Sequence, residues 1–157
     1  MPQLAIGDTA PDFTLTDHLG ADVRLHDLRG HGLVVFFYPA AMTPGCTTEA
    51  CDFRDRLDTL QAAGFGVVGI SPDSPTTLAR FVAEQHLTYR LLSDPDRSVM
   101  TAWGAYGEKK LYGKTATGVI RPTVVLDDEG QVIWARYNVK ATGHVALLTR
   151  ALGLNAP

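Results

Sequence analysis

Cysteine is scarce in this chain: 157 residues contain only Cys46 and Cys51. A chain of this length buries roughly 70% of its unfolded surface and needs neither disulfide staples nor metal, so both thiols are free for chemistry. Positive charge is also in short supply. With 14 Lys+Arg against 17 Asp+Glu there is no basic footprint for nucleic acid, and no run of like charge suggests a membrane surface. No apolar stretch reaches membrane-spanning length, and the start Met-Pro-Gln-Leu-Ala-Ile-Gly-Asp lacks the basic flank of a signal peptide. The expected location is the cytoplasm, where thiols rest reduced and a close cysteine pair is more often catalytic than structural.

Other signals are missing as well. His18, His26, His31, His86 and His144 show no ligand spacing with one another or with the cysteines, so surface or capping positions are expected and no metal is implied. Gly64-Phe65-Gly66-Val67-Val68-Gly69 spells a dinucleotide fingerprint. It follows a helical pattern and enters a strand, however, the reverse of the context that binds a pyrophosphate. There is no repeat, low-complexity tract or linker, and residues 1–157 are expected to form one domain.

What the chain does have is a continuous apolar run, Leu33-Val34-Val35-Phe36-Phe37-Tyr38, too uniformly buried in character to have a wet face. Short alternating segments at 13–16 and 23–25 precede it across a turn containing Gly20. After it, Ala50, Phe53, Leu57 and Leu60 recur at helical spacing over 46–63, and Gly64 ends the pattern as a C-terminal cap would. Further expectations are a strand at 66–71, helices at 75–85 and 96–103, and a long Gly- and Lys-bearing loop at 104–118. Strands at 119–126 and 131–137 flank the hairpin signal Asp127-Asp128-Glu129-Gly130, and a helix over 142–152 closes the chain. Strands alternating with helices predict an α/β sheet covered on both faces.

Between strand and helix lies Pro39-Ala40-Ala41-Met42-Thr43-Pro44-Gly45-Cys46. Proline prefers the first helical position, which puts Cys46 in the first turn. Unpaired N–H groups and partial positive charge there favour a thiolate. Cys46 also shares a helical face with Ala50, Phe53 and Leu57, as a small buried hydrophobe would. Thr43 could aim its hydroxyl at the sulfur or cap the helix, and Pro39 shapes the turn.

Taken together, Pro39-x-x-x-Thr43-x-x-Cys46 at the exit of an apolar strand resembles the active-site motif of the peroxiredoxins. The stretch from Thr43 through Gly45, Cys46, Glu49 and Cys51 to Asp55 is similar to the bacterioferritin comigratory protein (PrxQ) subfamily. The likeness extends to Gly7-Asp8-x-Ala10-Pro11-Asp12-Phe13, to Gly69-Ile70-Ser71 and to Gly118-Val119-Ile120-Arg121. It implies a thioredoxin-like fold, a mixed central sheet flanked by helices with an N-terminal β extension, and thiol-dependent reduction of hydroperoxides without a cofactor. It also implies Cys46 as the peroxidatic cysteine, Thr43 and Arg121 as its activating partners, Cys51 as the resolving cysteine, a thioredoxin-type reductant and a monomer. Glu49 is a candidate to orient an arginine. The sequence departs from the pattern at Ala40, where relatives often carry a polar residue, and at Pro122, where they often carry serine. Pro122 removes a backbone donor beside Arg121 and opens the option of a cis bond.

Simple magnitudes constrain the mechanism. A thiol of pKa ~8.5 is about 3% ionised at pH 7, so complete ionisation gains at most about thirtyfold. Part of that is lost because a weaker base is a weaker nucleophile. Donors aimed at the departing oxygen therefore have more to contribute. On one intact helix, positions 46 and 51 are separated by ~7.5 Å of rise and roughly 140° of rotation, with Cα atoms about 8 to 9 Å apart. A disulfide needs less than about 7 Å, so joining them requires the first turns to unwind. Two alternatives to a turnover enzyme use the same thiol. One is a peroxide sensor or relay that passes its oxidation to a partner; the other, a general disulfide oxidoreductase, is disfavoured by the Cys-x₄-Cys spacing. Trp103 is expected to pack in the core, with a place at the substrate entrance as the other option.

Overall fold

The computed structural model describes residues 3–111, 113–137 and 139–154, without the side chains of 109–111. Its elements in chain order are β1 (Thr14–Asp17), β2 (Asp22–Arg24), a 3-10 turn (Leu25–Leu28), β3 (Gly32–Phe37), α1 (Pro44–Ala62), β4 (Phe65–Ser71) and α2 (Pro75–Gln85). There follow β5 (Arg90–Ser93), α3 (Ser98–Ala102), β6 (Tyr106–Leu111), β7 (Lys114–Val119), β8 (Thr123–Leu126), β9 (Val132–Arg136) and α4 (His144–Ala151). Seven strands form one mixed sheet in the order β2-β1-β5-β4-β3-β8-β9. Strands β3, β4 and β5 run parallel, while β1 and β8 are antiparallel to their neighbours.

The apolar run at 33–38 becomes the centre of the sheet because both of its faces are covered. Leu33, Val35 and Phe37 join one buried cluster with Phe13, Met100 and Trp103. Val34, Phe36 and Tyr38 join another with residues of α1, α2 and α4, including Cys46, Ala50 and Phe53. Period-2 alternation thus sorts one strand into two cores. Trp103 is fully buried on the face away from Cys46, and its indole N–H donates to the Pro11 carbonyl at 3.2 Å. It is a packing residue and does not line the entrance to the thiol.

The expected loop at 104–118 is a β hairpin, with β6 and β7 paired antiparallel from Tyr106–Val119 to Leu111–Lys114. It eluded pattern reading because Lys114 to Thr117 are exposed and show no apolar alternation. The expected single strand at 119–126 is broken, since Arg121 has φ +66° and its successor is proline. Val119 ends one sheet and Thr123 begins in the other. Strand β5 carried no sequence signal; Leu91 and Leu92 are too short a run to announce it.

Helix α1 begins at Pro44, as the position of proline suggested, and Gly64 follows its end with φ +90°, donating to the Gln61 carbonyl. The fingerprint-like glycines lie across the α1–β4 junction, and Gly69 is in the strand itself, where an added Cβ would meet Phe36 at 2.7 Å. Close packing against the neighbouring strand explains that glycine.

Candidate active site

Strands β3 and β4 are parallel, and the segments leaving their carboxyl ends converge on one place, as open α/β sheets arrange their sites. From β3 come Tyr38, Pro39 and the turn to α1; from β4 come Ser71 and Asp73. The turn is held from outside. Asp73 Oδ2 accepts the Ala41 backbone N–H at 2.7 Å and the Ser71 hydroxyl at 2.8 Å, while the Asp73 carbonyl accepts the Ser93 hydroxyl at 2.6 Å. This bracing permits Met42 to sit at φ +65°, a conformation that costs a side-chain-bearing residue energy and persists only when its surroundings enforce it.

Thr43 is the N-cap residue of α1 by position, but its side chain does not cap the helix. Its hydroxyl donates to the Ala40 carbonyl at 2.8 Å, and no hydrogen bond joins it to Cys46. With its single proton committed, the oxygen presents acceptor lone pairs. The residue is exposed, so these lone pairs are open to an incoming molecule. Ala40, whose small side chain departs from the common pattern, contributes through its carbonyl.

Cys46 occupies the third position of α1, on the face shared with Ala50, Phe53 and Leu57, and is 2% exposed. The two readings of this residue are therefore compatible: it is packed as an apolar side chain and placed in a helix's first turn. Both cysteines are free. Cys51 is half-buried on another side of the intact helix, where its thiol donates to Gln85 Oε1 at 3.4 Å and burial pushes it up from the usual thiol range.

Arg121 reaches the same first turn from the β7–β8 junction. Its Nη2 donates to Glu49 Oε1 at 3.1 Å, and its Nη1 lies 3.5 Å from where a Cβ on Gly45 would stand. The missing side chain at Gly45 leaves room for the guanidinium beside the helix start. The Arg121 backbone is strained at φ +66°, and it is pinned on both sides. Val139 N–H donates to the Arg121 carbonyl at 3.3 Å, and Phe37 N–H to the Pro122 carbonyl at 3.0 Å. No peptide bond among the described residues is cis, so Pro122 leaves the arginine placed by an ordinary trans link.

Glu49 is 1% exposed; burial, opposed by Arg121, pushes its carboxyl up to about 7. Among the described residues, three buried side-chain polar atoms lack hydrogen-bond partners: Glu49 Oε2, Arg121 Nε and the Tyr38 hydroxyl. Ser71 Oγ is a neighbour of that hydroxyl without hydrogen-bonding geometry, and burial keeps the phenol protonated. Unsatisfied polar atoms in a buried setting are costly and are suited to a polar guest.

Sequence reasoning missed Tyr38, Ser71, Asp73 and His144. The first three are signalled only by their place at the carboxyl ends of parallel strands. His144 is not a surface residue: it is 3% exposed, its Nε2 pairs with Thr123 Oγ1 at 2.9 Å, and its ring packs against Phe53 and Trp134. Burial first, then the charges of Arg136 and Arg121, push it down to about 4. It is a neutral core residue behind the site. Among the described residues no helix is long and apolar enough to cross a membrane.

Comparison with known proteins gives concordant matches. Residues 6–135 match the AhpC/TSA family. Over 152 residues the chain is 60% identical to a Mycobacterium tuberculosis protein provisionally named a peroxiredoxin, covering 97% of each chain. It is 43% identical over 144 residues to peroxiredoxin Bcp of Escherichia coli K12, covering 92% of each. Among solved structures, the Xanthomonas campestris bacterioferritin comigratory protein, studied for alkyl peroxide reduction, is 37% identical and superposes with a TM-score of 0.86 over 96% of both chains.

Proposed function

The chain belongs to the AhpC/TSA family as a peroxiredoxin of the bacterioferritin comigratory type, a thiol-dependent peroxidase with a thioredoxin-like fold and an N-terminal β extension, and we propose that Cys46 is its peroxidatic residue. The observation that carries this assignment is the buried Arg121–Glu49 ion pair against the helix turn that holds Cys46. A guanidinium beside that turn supports a part for Arg121 in a reaction at the sulfur.

Attack of the Cys46 thiolate on a hydroperoxide forms an S–O bond and breaks O–O, giving a sulfenic acid and an alkoxide that takes a proton to become alcohol or water. Negative charge grows on the departing oxygen. The Arg121 guanidinium, the first-turn N–H groups and Pro39 at the turn provide donors and a wall there. Thr43 accepts from the hydroperoxide O–H with its free lone pairs, which orients the O–O bond toward sulfur. Glu49 holds Arg121, and Gly45 leaves room for it.

Cys51 then condenses with the Cys46 sulfenic acid, releasing water and forming a disulfide that an external dithiol of the thioredoxin type reduces. The intact helix separates the two thiols by more than a disulfide allows, so residues 46–51 unwind first. Hydrogen peroxide and organic hydroperoxides are both substrates by this chemistry. The same resemblance supports one domain over 1–157, acting as a monomer in the cytoplasm without a cofactor. Names of the relatives favour an enzyme over a sensor or relay.

Peroxide consumption by wild type, Cys46→Ser and Cys51→Ser, with thioredoxin and with a small dithiol, tests the assignment. Cys46→Ser is expected to be inert, and Cys51→Ser to turn over only with the small dithiol. Mass spectrometry that finds sulfenic or sulfinic acid at Cys46 with Cys51 still reduced would remove the resolving role.

A further inference from the structure

Residues 85–89, from the last residue of α2 to the residue before β5, grip α1 at three points. The Tyr89 hydroxyl, buried, donates to the Ala50 carbonyl at 2.6 Å. The Cys51 thiol donates to Gln85 Oε1 at 3.4 Å, and Arg54 Nη1 donates to the Gln85 carbonyl at 2.6 Å. The gripping segment is itself fixed. His86 caps α2 in the left-handed region at φ 52°, Leu87 N–H donates to the Val82 carbonyl, and Leu87 and Tyr89 are buried in the cluster that contains Cys46.

These contacts do not fall at random along the helix. The Ala50 carbonyl is already the natural acceptor of a helical N–H four residues on, so the bond from Tyr89 is an additional one. Ala50 and Cys51 are the residues that must leave their places when Cys51 travels to Cys46. Arg54 lies one turn further along, on the part of α1 that can stay folded, and keeps the clamp seated while the first turns open.

We propose that residues 85–89 act as a clamp that sets how fast Cys51 reaches oxidised Cys46, with Tyr89 as the positioning residue. This rests on Cys46 and Cys51 being the peroxidatic and resolving thiols. While the clamp is closed, Cys51 is tied to Gln85 and its sulfur is partly withdrawn from water. Opening frees the thiol and exposes it to solvent, which favours the thiolate needed for attack. The sulfenic acid has two fates: condensation with Cys51, losing water, or reaction with a second hydroperoxide to give sulfinic acid and alcohol. A tighter clamp prolongs the sulfenic acid and directs more of it to the second fate.

Tyr89→Phe keeps the ring and removes the extra bond. Its test is rapid-quench oxidation with limiting and then excess hydrogen peroxide, followed by alkylation and mass spectrometry. The expected result is an unchanged rate of Cys46 oxidation, disulfide closure roughly two- to tenfold faster, and a correspondingly smaller sulfinic fraction. Tyr137→Phe removes a comparable hydroxyl, one that donates to the Trp103 carbonyl at 2.6 Å, and is the control for general loosening. Unaltered closure in Tyr89→Phe, an equal change in both steps, or equal acceleration in Tyr137→Phe would overturn the clamp. A wild-type protein that forms no Cys46–Cys51 disulfide would overturn the resolving reading and the clamp with it.

Discussion

Arg121 and Glu49, 72 positions apart in the chain, form an ion pair at 3.1 Å in which the carboxylate side is almost fully buried and the arginine is largely so. Among the described residues only one arm of the guanidinium has a partner. Nε is left without a partner, and Nη1 lies along the start of the helix that carries Cys46. Breaking such a pair on one side leaves an uncompensated buried charge, which costs more than the pair itself contributes.

Arg121→Lys retains the charge but cannot hold Glu49 with one nitrogen and present others to the reacting oxygen. Its second-order rate with hydrogen peroxide is expected to fall by roughly 100-fold, within the range for loss of a transition-state donor. Stopped-flow oxidation of Cys46 measures it, and a rate within twofold of wild type would take Arg121 out of the reaction.

Glu49 gives the pair a dependence on pH. Its carboxyl is raised to about 7 in the folded protein from an ordinary 4.5. Between those values the native state holds a proton that the unfolded state has lost, so stability contributed at low pH is lost as pH rises through the interval, on the order of 3 kcal/mol. Glu49→Gln is expected to remove that slope in denaturant unfolding followed from pH 4.5 to 8. The wild-type oxidation rate should rise as the charged pair forms near pH 7, with that inflection absent from the variant.

His144 titrates with the opposite sign. Held down to about 4 from an ordinary 6.5, it resists the proton that the unfolded chain takes up, so stability falls as pH drops from 6.5 toward 4. Wild type should therefore show partial cancellation of the two groups between pH 4.5 and 6.5. His144→Gln is expected to steepen the fall in stability with rising pH in that window, read by the same unfolding series.

Asp73 is the brace of the strained turn. Asp73→Ala leaves the buried-side Ala41 N–H without its acceptor and is expected to cost about 1–3 kcal/mol and roughly tenfold in Cys46 oxidation. Asp73→Asn retains an acceptor oxygen and should recover most of both. Thermal unfolding alongside stopped-flow kinetics separates this from a global effect, which would leave the residual folded enzyme at full rate.

The parts of the fold that were legible came from periodicity strong enough to stand alone. The run at 33–38, the helical face of Ala50, Phe53, Leu57 and Leu60, and the cap at Gly64 each follow from rules that act within a few residues. The hairpin of β6 and β7 was illegible because Lys114 to Thr117, exposed one after another, need no apolar pattern. The break at Arg121 was hidden because apolar residues continue on either side of it, while the backbone turn depends on bonds from Phe37 and Val139.

The same division runs through the site. By itself the sequence determined that a thiol stands in the first turn of a helix, because Thr43-Pro44-Gly45-Cys46 follows a strand and neighbouring dihedrals are set by neighbouring residues. The tertiary structure alone decided that Arg121 meets Glu49, that Asp73 holds Ala41 and that Tyr89 reaches Ala50. Those contacts depend on the pairing of β3 with β8 and β4, and on the seating of α1 against the end of α2 and the segment before β5, which bring together residues that no local preference can connect.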